Sequence, residues 1–108
     1  VNLILEKIKS LNESGFPVVF MGDLNVEPDS DLISLLRTKM KDSREEAGIV
    51  FGPEGTFNAF NYNKPVTRRI DYIMVSDHIW VKKYAVLSSA IDFKYPSDHF
   101  PVFVQLKL

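Results

Sequence analysis

Residues 17–25, PVVFMGDLN, are the stretch on which the fold depends. They begin with an apolar run that contains two valines and end abruptly in Gly22, Asp23, Leu24 and Asn25. Such a run predicts a strand buried on both faces, inside a sheet that other layers cover. Gly22 permits a turn there, which leaves Asp23 and Asn25 at one rim of the sheet. From these residues alone, an ordinary strand followed by an Asx turn remains the more common explanation.

The composition favours one small domain without a strong electrostatic bias. The chain has 108 residues, which is enough for a single core. Its 13 basic and 14 acidic residues leave a net charge of −1, so no global field attracts nucleic acid or an anionic membrane. The absence of cysteine excludes disulfides and thiolate metal sites and leaves the cellular compartment open. A hydrophobic content of 45% predicts more apolar surface than so small a core can hide.

Two helices are predicted in the first 40 residues. Ile4, Ile8 and Leu11 recur at helical spacing and predict a helix over residues 2–14 that packs on a sheet. The chain begins at Val1 and not at Met, already inside this helical pattern, so we expect it to be a piece of a longer protein. Residues 27–31 predict a turn and an N-cap for a second helix. The buried stripe of that helix comprises Leu32, Leu35, Leu36 and Met40.

A long connection follows the second helix. Between residues 41 and 65, regular periodicity disappears while glycine and asparagine accumulate, so we expect an irregular loop of about 25 residues. Loops of this length often border binding sites. The loop contains Thr56, Phe57, Phe60 and Tyr62, which either form a satellite hydrophobic cluster or contact a substrate.

Three further strands are predicted in the second half of the chain, over residues 69–75, 79–87 and 101–106. The first is apolar except at Asp71, where a carboxylate requires a partner. The second contains Lys82 and Lys83, which indicate a position nearer a sheet edge.

Polar residues thus stand at three strand ends or interiors, at Asp23 with Asn25, at Asp71, and at Asp98 with His99. Each has an ordinary structural explanation when taken alone. Taken together, they predict a metal site of hard oxygen ligands beside an imidazole oriented by a carboxylate.

Three ordered segments, residues 22–25 (GDLN), 69–73 (RIDYI) and 97–102 (SDHFPV), resemble signature blocks of the endonuclease/exonuclease/phosphatase family. That family includes DNase I-like nucleases, abasic-site endonucleases, poly(A) deadenylases, neutral sphingomyelinases and inositol polyphosphate 5-phosphatases. The resemblance implies an α/β fold, a four-layered αββα sandwich with two sheets face to face. Residues 1–108 match the C-terminal half of that domain, which implies one mixed β-sheet with flanking helices.

The resemblance also implies a role for five residues. Asp23 matches the aspartate that orients or deprotonates the attacking water and contacts the metal. Asn25 matches the carboxamide that holds the scissile phosphate and the nucleophile. Asp98 matches a metal-site carboxylate, and His99 matches the histidine that binds or protonates a phosphoryl oxygen. Asp71 matches the acid that hydrogen-bonds the other ring nitrogen of that histidine.

The chemistry implied is hydrolysis of a phosphodiester or phosphomonoester by activated water. We expect Mg²⁺, or alternatively Mn²⁺, to be bound by Asp23 and Asp98 and to neutralise charge on the phosphoryl oxygens. The resemblance implies a substrate that is a nucleic acid, a phospholipid headgroup or an inositol phosphate, and the sequence does not choose among them. The predicted catalytic residues are Asp23, Asn25, Asp71 and His99. The predicted substrate contacts are Asn25, Phe57, Arg69 and His99.

Part of the family's site has no counterpart in this sequence. The resemblance implies a metal-binding glutamate on an early strand and a second catalytic histidine, both of which would precede Val1. We therefore expect residues 1–108 alone to be poorly active or inactive. The alternative is a degenerate or truncated, non-catalytic interaction module of the same fold. A missing half would also leave one sheet face uncovered, so we expect the chain to self-associate through that face.

Overall fold

The computed structural model describes residues 2–12, 14–59, 67–88 and 97–108. The predictions for Phe60, Tyr62 and residues 61–65 fall outside this part of the chain. The helices within it are α1 (Asn2–Leu11), α2 (Asp31–Arg37) and α3 (Ser43–Glu46). The strands are β1 (Val19–Asp23), β2 (Lys41–Asp42), β3 (Ile49–Phe51), β4 (Asp71–Val75), β5 (Trp80–Val86) and β6 (Val102–Lys107). No helix among the described residues combines the length and the hydrophobicity needed to cross a membrane.

The described strands form two sheets. In the first sheet, β4 lies between β1 and β2 and pairs antiparallel with both. In the second sheet, β5 lies between β3, to which it is parallel, and β6, to which it is antiparallel. The predicted α/β class is confirmed, with one correction, since the strands divide into two sheets instead of one mixed sheet. The consecutive strands β4 and β5 lie in different sheets, and their apolar side chains pack against each other.

Strand β4 is covered on both faces, which makes it the centre of the core. On one face, Tyr72 and Met74 pack with buried residues of α2 and the turn that follows it. On the other face, Ile73 and Val75 pack with Val81 and with the second sheet. The residues that complete the first cluster are Ile33, Leu36 and Met40. Those that complete the second include Ile79, Val102, Val104 and Leu106.

Strand β1 does not have the two buried faces predicted from its apolar run. Val19 is 39% exposed and Met21 is 63% exposed, while Phe20 packs towards the helices. Because β1 pairs only with β4 among the described strands, it forms an edge of the first sheet. Val19 lies opposite Val75, and Met21 lies opposite Ile73. The second sheet packs on this face at β4, where it covers Ile73 and Val75, but leaves the neighbouring side chains of β1 exposed. An apolar run shows that a strand can be buried, but it does not show what buries it.

The predicted start of the second helix is confirmed. Ser30 is the N-cap of α2, and its side-chain oxygen accepts a hydrogen bond of 3.3 Å from the backbone N–H of Ile33. Asp31 lies in the first turn, where the helix dipole favours a carboxylate. Helix α1 ends at Leu11, earlier than the predicted residue 14.

The connection predicted to be irregular contains three short elements, β2, α3 and β3. Each has between two and four residues, which is too short for a hydrophobic period to appear in the sequence. A second correction concerns β5, which lies in the middle of its sheet although it carries Lys82 and Lys83. A register irregularity next to Val81 accompanies the exposure of both lysines.

An ion pair between Asp42 and Arg69 is buried beside β4. Arg69 donates hydrogen bonds of 3.0 and 2.7 Å to the two carboxylate oxygens of Asp42. Asp42 is 2% exposed and Arg69 is 4% exposed. Arg37 approaches the same carboxylate only to 4.0 Å and is much more exposed to solvent. The close pair therefore ties β2 to the residue that precedes β4 by two positions.

This difference between the two arginines is testable. Arg69→Ala leaves the Asp42 carboxylate buried without its close partner, so we expect the free energy of unfolding to fall by about 3–5 kcal/mol. Arg37→Ala is the matched control and should lower it by about 1 kcal/mol or less, since exposed pairs contribute little. Urea denaturation followed by circular dichroism measures both values. Equal losses in the two variants would show that burial of the pair does not matter.

Candidate active site

Two carboxylates meet where β1 ends and β4 begins. Asp23 is the last residue of β1 and Asp71 is the first residue of β4, and the two lie directly opposite each other in the antiparallel register. Residues paired in this way project their side chains to the same face of the sheet. Two residues far apart in the sequence are thus held as neighbours by strand pairing alone.

His99 lies between these two carboxylates. Its Nδ1 atom is 2.8 Å from Oδ2 of Asp71, and its Nε2 atom is 3.7 Å from Oδ2 of Asp23. The imidazole is partly exposed, as are both carboxylates, so the group is open to a solute. The structure therefore brings together three of the four predicted catalytic side chains in one contact network.

The surroundings of His99 favour its charged form. The hydrogen bond with Asp71 raises the pKa of His99, partial burial opposes this rise, and the negative charges of Asp71, Asp23 and Asp98 add to it. An imidazolium is suited to contact a phosphoryl oxygen, because it supplies both positive charge and a hydrogen-bond donor.

Asn25, the fourth predicted catalytic residue, is exposed in the turn directly after β1. Its backbone has a φ of 55°, in the left-handed region that asparagine tolerates better than most residues. The backbone N–H of Asn25 donates a hydrogen bond of 2.8 Å to Oδ1 of Asp23. This is the Asx turn that the sequence suggested, and it fixes the spacing of the carboxylate and the carboxamide.

Tyr72 anchors the far end of this turn, a role that no sequence pattern indicated. Its hydroxyl lies 2.7 Å from the carbonyl oxygen of Val26 and 3.1 Å from that of Arg69, and it can donate to either. Burial raises the pKa of Tyr72 to about 12, so the hydroxyl keeps its proton at neutral pH. In the sequence, Tyr72 is indistinguishable from an ordinary core aromatic residue.

Thr56 supports Asp71 from the other side. Its side-chain oxygen is fully buried and accepts hydrogen bonds of 3.1 Å from the backbone N–H groups of Ile70 and Asp71. Its carbonyl oxygen accepts a bond of 2.8 Å from the N–H of Phe100, next to His99. Thr56 therefore joins the two segments that carry the Asp71–His99 pair. The sequence placed it in a loop with no sign of this function.

The predicted substrate contacts separate into two groups. Phe57 lies at the site, where its ring centroid is 4.9 Å from that of His99. Arg69 does not, because its guanidinium is buried in the ion pair with Asp42. The predicted substrate contact of Arg69 is therefore inconsistent with its position, since a buried guanidinium that is bound by Asp42 is not available to a phosphate.

The described residues contain one group that could hold a metal ion. Asp23, Asp71 and His99 each offer a ligand atom, and these atoms lie within 4.8 Å of one another. Carboxylate oxygens suit Mg²⁺, but Asp71 and His99 already bond to each other, which leaves Asp23 as the available carboxylate. Asp98 is not in this group, so its role as a metal ligand stays a prediction.

Comparison with known proteins identifies related sequences and structures. Residues 2–99 match the model of the endonuclease/exonuclease/phosphatase family. A mannosyl-6-phosphatase from Bacteroides thetaiotaomicron VPI-5482 superposes with a TM-score of 0.89 at 33% identity over 99% of this chain. A functionally unknown conserved protein from Enterococcus faecalis V583 superposes with a TM-score of 0.87 at 35% identity over 98% of this chain. No curated protein matches the sequence.

The same comparison shows how much of a relative this chain represents. It spans 44% of the Bacteroides thetaiotaomicron phosphatase and 42% of the Enterococcus faecalis protein. An endonuclease/exonuclease/phosphatase from Bacteroides vulgatus superposes with a TM-score of 0.86 at 30% identity. The superposition covers 99% of this chain and 42% of the Bacteroides vulgatus protein. The chain thus corresponds to less than half of each of these proteins.

The titration of His99 tests the geometry of the pair. Because the hydrogen bond to Asp71 is the main cause of the raised pKa, we expect Asp71→Asn to lower the pKa of His99, and Asp23→Asn to lower it less. NMR titration of the imidazole signals measures this order. A larger effect of Asp23→Asn would contradict the arrangement.

The same shift has a consequence for stability. The folded-state pKa of His99 lies above the unfolded value of about 6.5, so the charged pair stabilises the fold fully only below that pH. We expect the stability difference between wild type and Asp71→Asn to be largest at about pH 5–6 and to shrink as the pH rises through the folded-state pKa. Urea denaturation at a series of pH values measures it.

Proposed function

Because this chain belongs to the endonuclease/exonuclease/phosphatase family, we propose that it is the C-terminal half of a Mg²⁺-dependent phosphoesterase domain, formed by residues 1–108. A phosphoesterase-type function agrees with the family and with the phosphatase among the similar structures. The observation that carries the proposal is the hydrogen-bonded Asp71–His99 pair with Asp23 at 3.7 Å from the second ring nitrogen. A histidine held in this way is suited to bind a phosphoryl group.

In the proposed reaction, a water oxygen forms a bond to phosphorus while the bond from phosphorus to the ester oxygen breaks. Asp23 orients the water and accepts its proton, and Asn25 holds the water and the phosphate together. In the charged form of His99, Asp71 accepts a hydrogen bond from Nδ1–H, which directs Nε2–H away from Asp71, so that Nε2 donates a hydrogen bond to a phosphoryl oxygen. The departing alkoxide takes a proton from solvent and leaves as an alcohol.

Mg²⁺, when bound, would neutralise the negative charge of the phosphoryl oxygens, which repels the hydroxide-like nucleophile formed as the water loses its proton. Asp23 is the residue of this chain best placed to hold it, and Asp98 is the proposed second carboxylate. The remaining protein ligands would come from outside residues 1–108, in agreement with the fraction of each relative that the chain spans. On this basis we propose that residues 1–108 alone lack a complete site.

The competing proposal is a non-catalytic interaction module. Such a module has no chemical need for a histidine held between two carboxylates, whereas a phosphoesterase can use it to bind a phosphoryl oxygen. We therefore favour the enzyme.

Hydrolysis assays test this proposal on the longest natural polypeptide that contains this sequence and on residues 1–108 alone. The substrates are a bis-aryl phosphate, DNA, poly(A), an inositol polyphosphate, sphingomyelin and a sugar phosphate, each with Mg²⁺ or EDTA. We expect activity only in the longer polypeptide and only with Mg²⁺. Asp23→Asn should reduce kcat by about 10²–10⁴-fold, since general base catalysis contributes about that much.

Asp77→Asn is the matched control, because Asp77 is exposed just beyond the end of β4 farthest from Asp71. It should leave kcat unchanged. Full Mg²⁺-dependent turnover by residues 1–108, lost in Asp23→Asn, would overturn the incomplete site. Inactivity of both polypeptides on the whole panel would favour the interaction module.

We also propose that residues 1–108 self-associate through the uncovered face of β1. This face presents Val19 and Met21 beside β4, and exposed apolar surface of this kind promotes association. Sedimentation velocity should show concentration-dependent oligomers that Met21→Lys weakens. Leu108→Lys, at a residue that is 78% exposed in another part of the chain, should leave them unchanged. A wild-type monomer at high concentration would contradict this proposal.

A further inference from the structure

Phe57 connects His99 to an exposed arginine. Its backbone forms antiparallel bridges with Arg68 on one side and with His99 on the other. Residues opposite each other in antiparallel pairs carry their side chains on the same face. Arg68, Phe57 and His99 therefore form a row on the open side of the candidate site.

The side chains in this row contact one another in order. The guanidinium carbon of Arg68 is 5.5 Å from the centre of the Phe57 ring, and that ring is 4.9 Å from the imidazole of His99. A guanidinium over an aromatic face is attracted to it by a cation–π interaction. This contact restricts the orientation of Arg68 before any ligand binds, which lowers the entropy lost on binding.

Arg68 has no ion-pair partner within the part of the chain that the structure describes. Its neighbour Arg69 points the opposite way and is bound to Asp42. Only one of the two adjacent arginines is thus available to a solute. A guanidinium binds a phosphate through two parallel hydrogen bonds, which makes it selective for such groups.

We propose that Arg68 and Phe57 form a subsite for a second phosphate group of the substrate, beside the phosphate that His99 contacts. The inference deepens the proposed phosphoesterase function and rests on it. The carboxylates around His99 give the described part of the site a negative charge. Arg68 supplies positive charge nearby, since the Phe57 ring contacts both Arg68 and His99. The substrate class is a phosphate ester with a second phosphate, from either a sugar bisphosphate or an oligonucleotide.

Matched substrate pairs test this subsite in the longest natural polypeptide that contains the sequence. One pair is a hexose 6-phosphate and the hexose 1,6-bisphosphate, and the other is a thymidine dinucleotide without and with a 5′-phosphate. We expect Arg68→Ala to lower kcat/KM for the doubly phosphorylated member of one pair at least ten-fold more than for its partner. The pair that responds identifies the source of the second phosphate.

Two further variants sharpen the test. Arg68→Lys keeps the charge without the planar fork, so it should give an intermediate loss. Lys83→Ala removes an exposed cation from the second sheet. In neither substrate pair should it change the ratio of the two kcat/KM values. Equal losses for both members of each pair, or no loss, would overturn the subsite.

If no phosphate ester is hydrolysed, the binding of phosphate and pyrophosphate to residues 1–108 tests the subsite. Pyrophosphate should bind at least ten-fold more tightly than monophosphate. The affinities are measured from the shifts of the NMR signals of the Phe57 ring and the Arg68 side chain. Arg68→Ala should abolish this preference while the Asp71–His99 signals stay native. Absence of a preference for pyrophosphate in the wild type would overturn the subsite independently of the proposed function.

Discussion

The burial of β4 on both faces is the constraint on which the rest of the structure depends. Its Tyr72 and Met74 need cover from the helices, and its Ile73 and Val75 need cover from the second sheet. A strand covered in this way can carry polar side chains only near its ends, because an unpaired carboxylate inside the layers costs too much free energy. Asp71 stands at such an end, and the site is built there.

The backbone around Asp71 is fixed from several directions. Pairing with β1 places Asp23 beside it, and the hydroxyl of Thr56 binds the amides of Ile70 and Asp71. On the opposite side, Tyr72 holds the turn that carries Asn25. The side chains of the candidate site thus rest on hydrogen bonds to rigid backbone, which is how proteins maintain reactive groups at short range without filling the space between them.

The sequence predicted the residues of the site better than the residues that support it. Asp23, Asp71 and His99 could be found because polar residues at the ends of apolar runs are conspicuous. Thr56 and Tyr72 could not, since a hydrogen bond to backbone leaves no periodic trace. The exposure of Met21 was also missed, because an apolar strand has the same pattern whether or not a partner covers it. Which of Arg68 and Arg69 faces solvent depends on where β4 begins. The sequence alone does not show which residues of a strand point inward and which point outward.

Because Arg68 and Arg69 point in opposite directions, one of them belongs to the surface and the other to the core. Arg69 is held by the core, so changes there act on folding, whereas Arg68 faces solvent and can change without disturbing a buried contact. A substitution at position 68 can therefore change the surface beside the candidate site while Arg69 preserves the fold. The insertion or deletion of a single residue between Arg68 and Asp71 would affect both arginines at once, because it would exchange the inward and outward positions directly before β4. Substitution, and not a change in length, is the route by which this part of the chain can diversify.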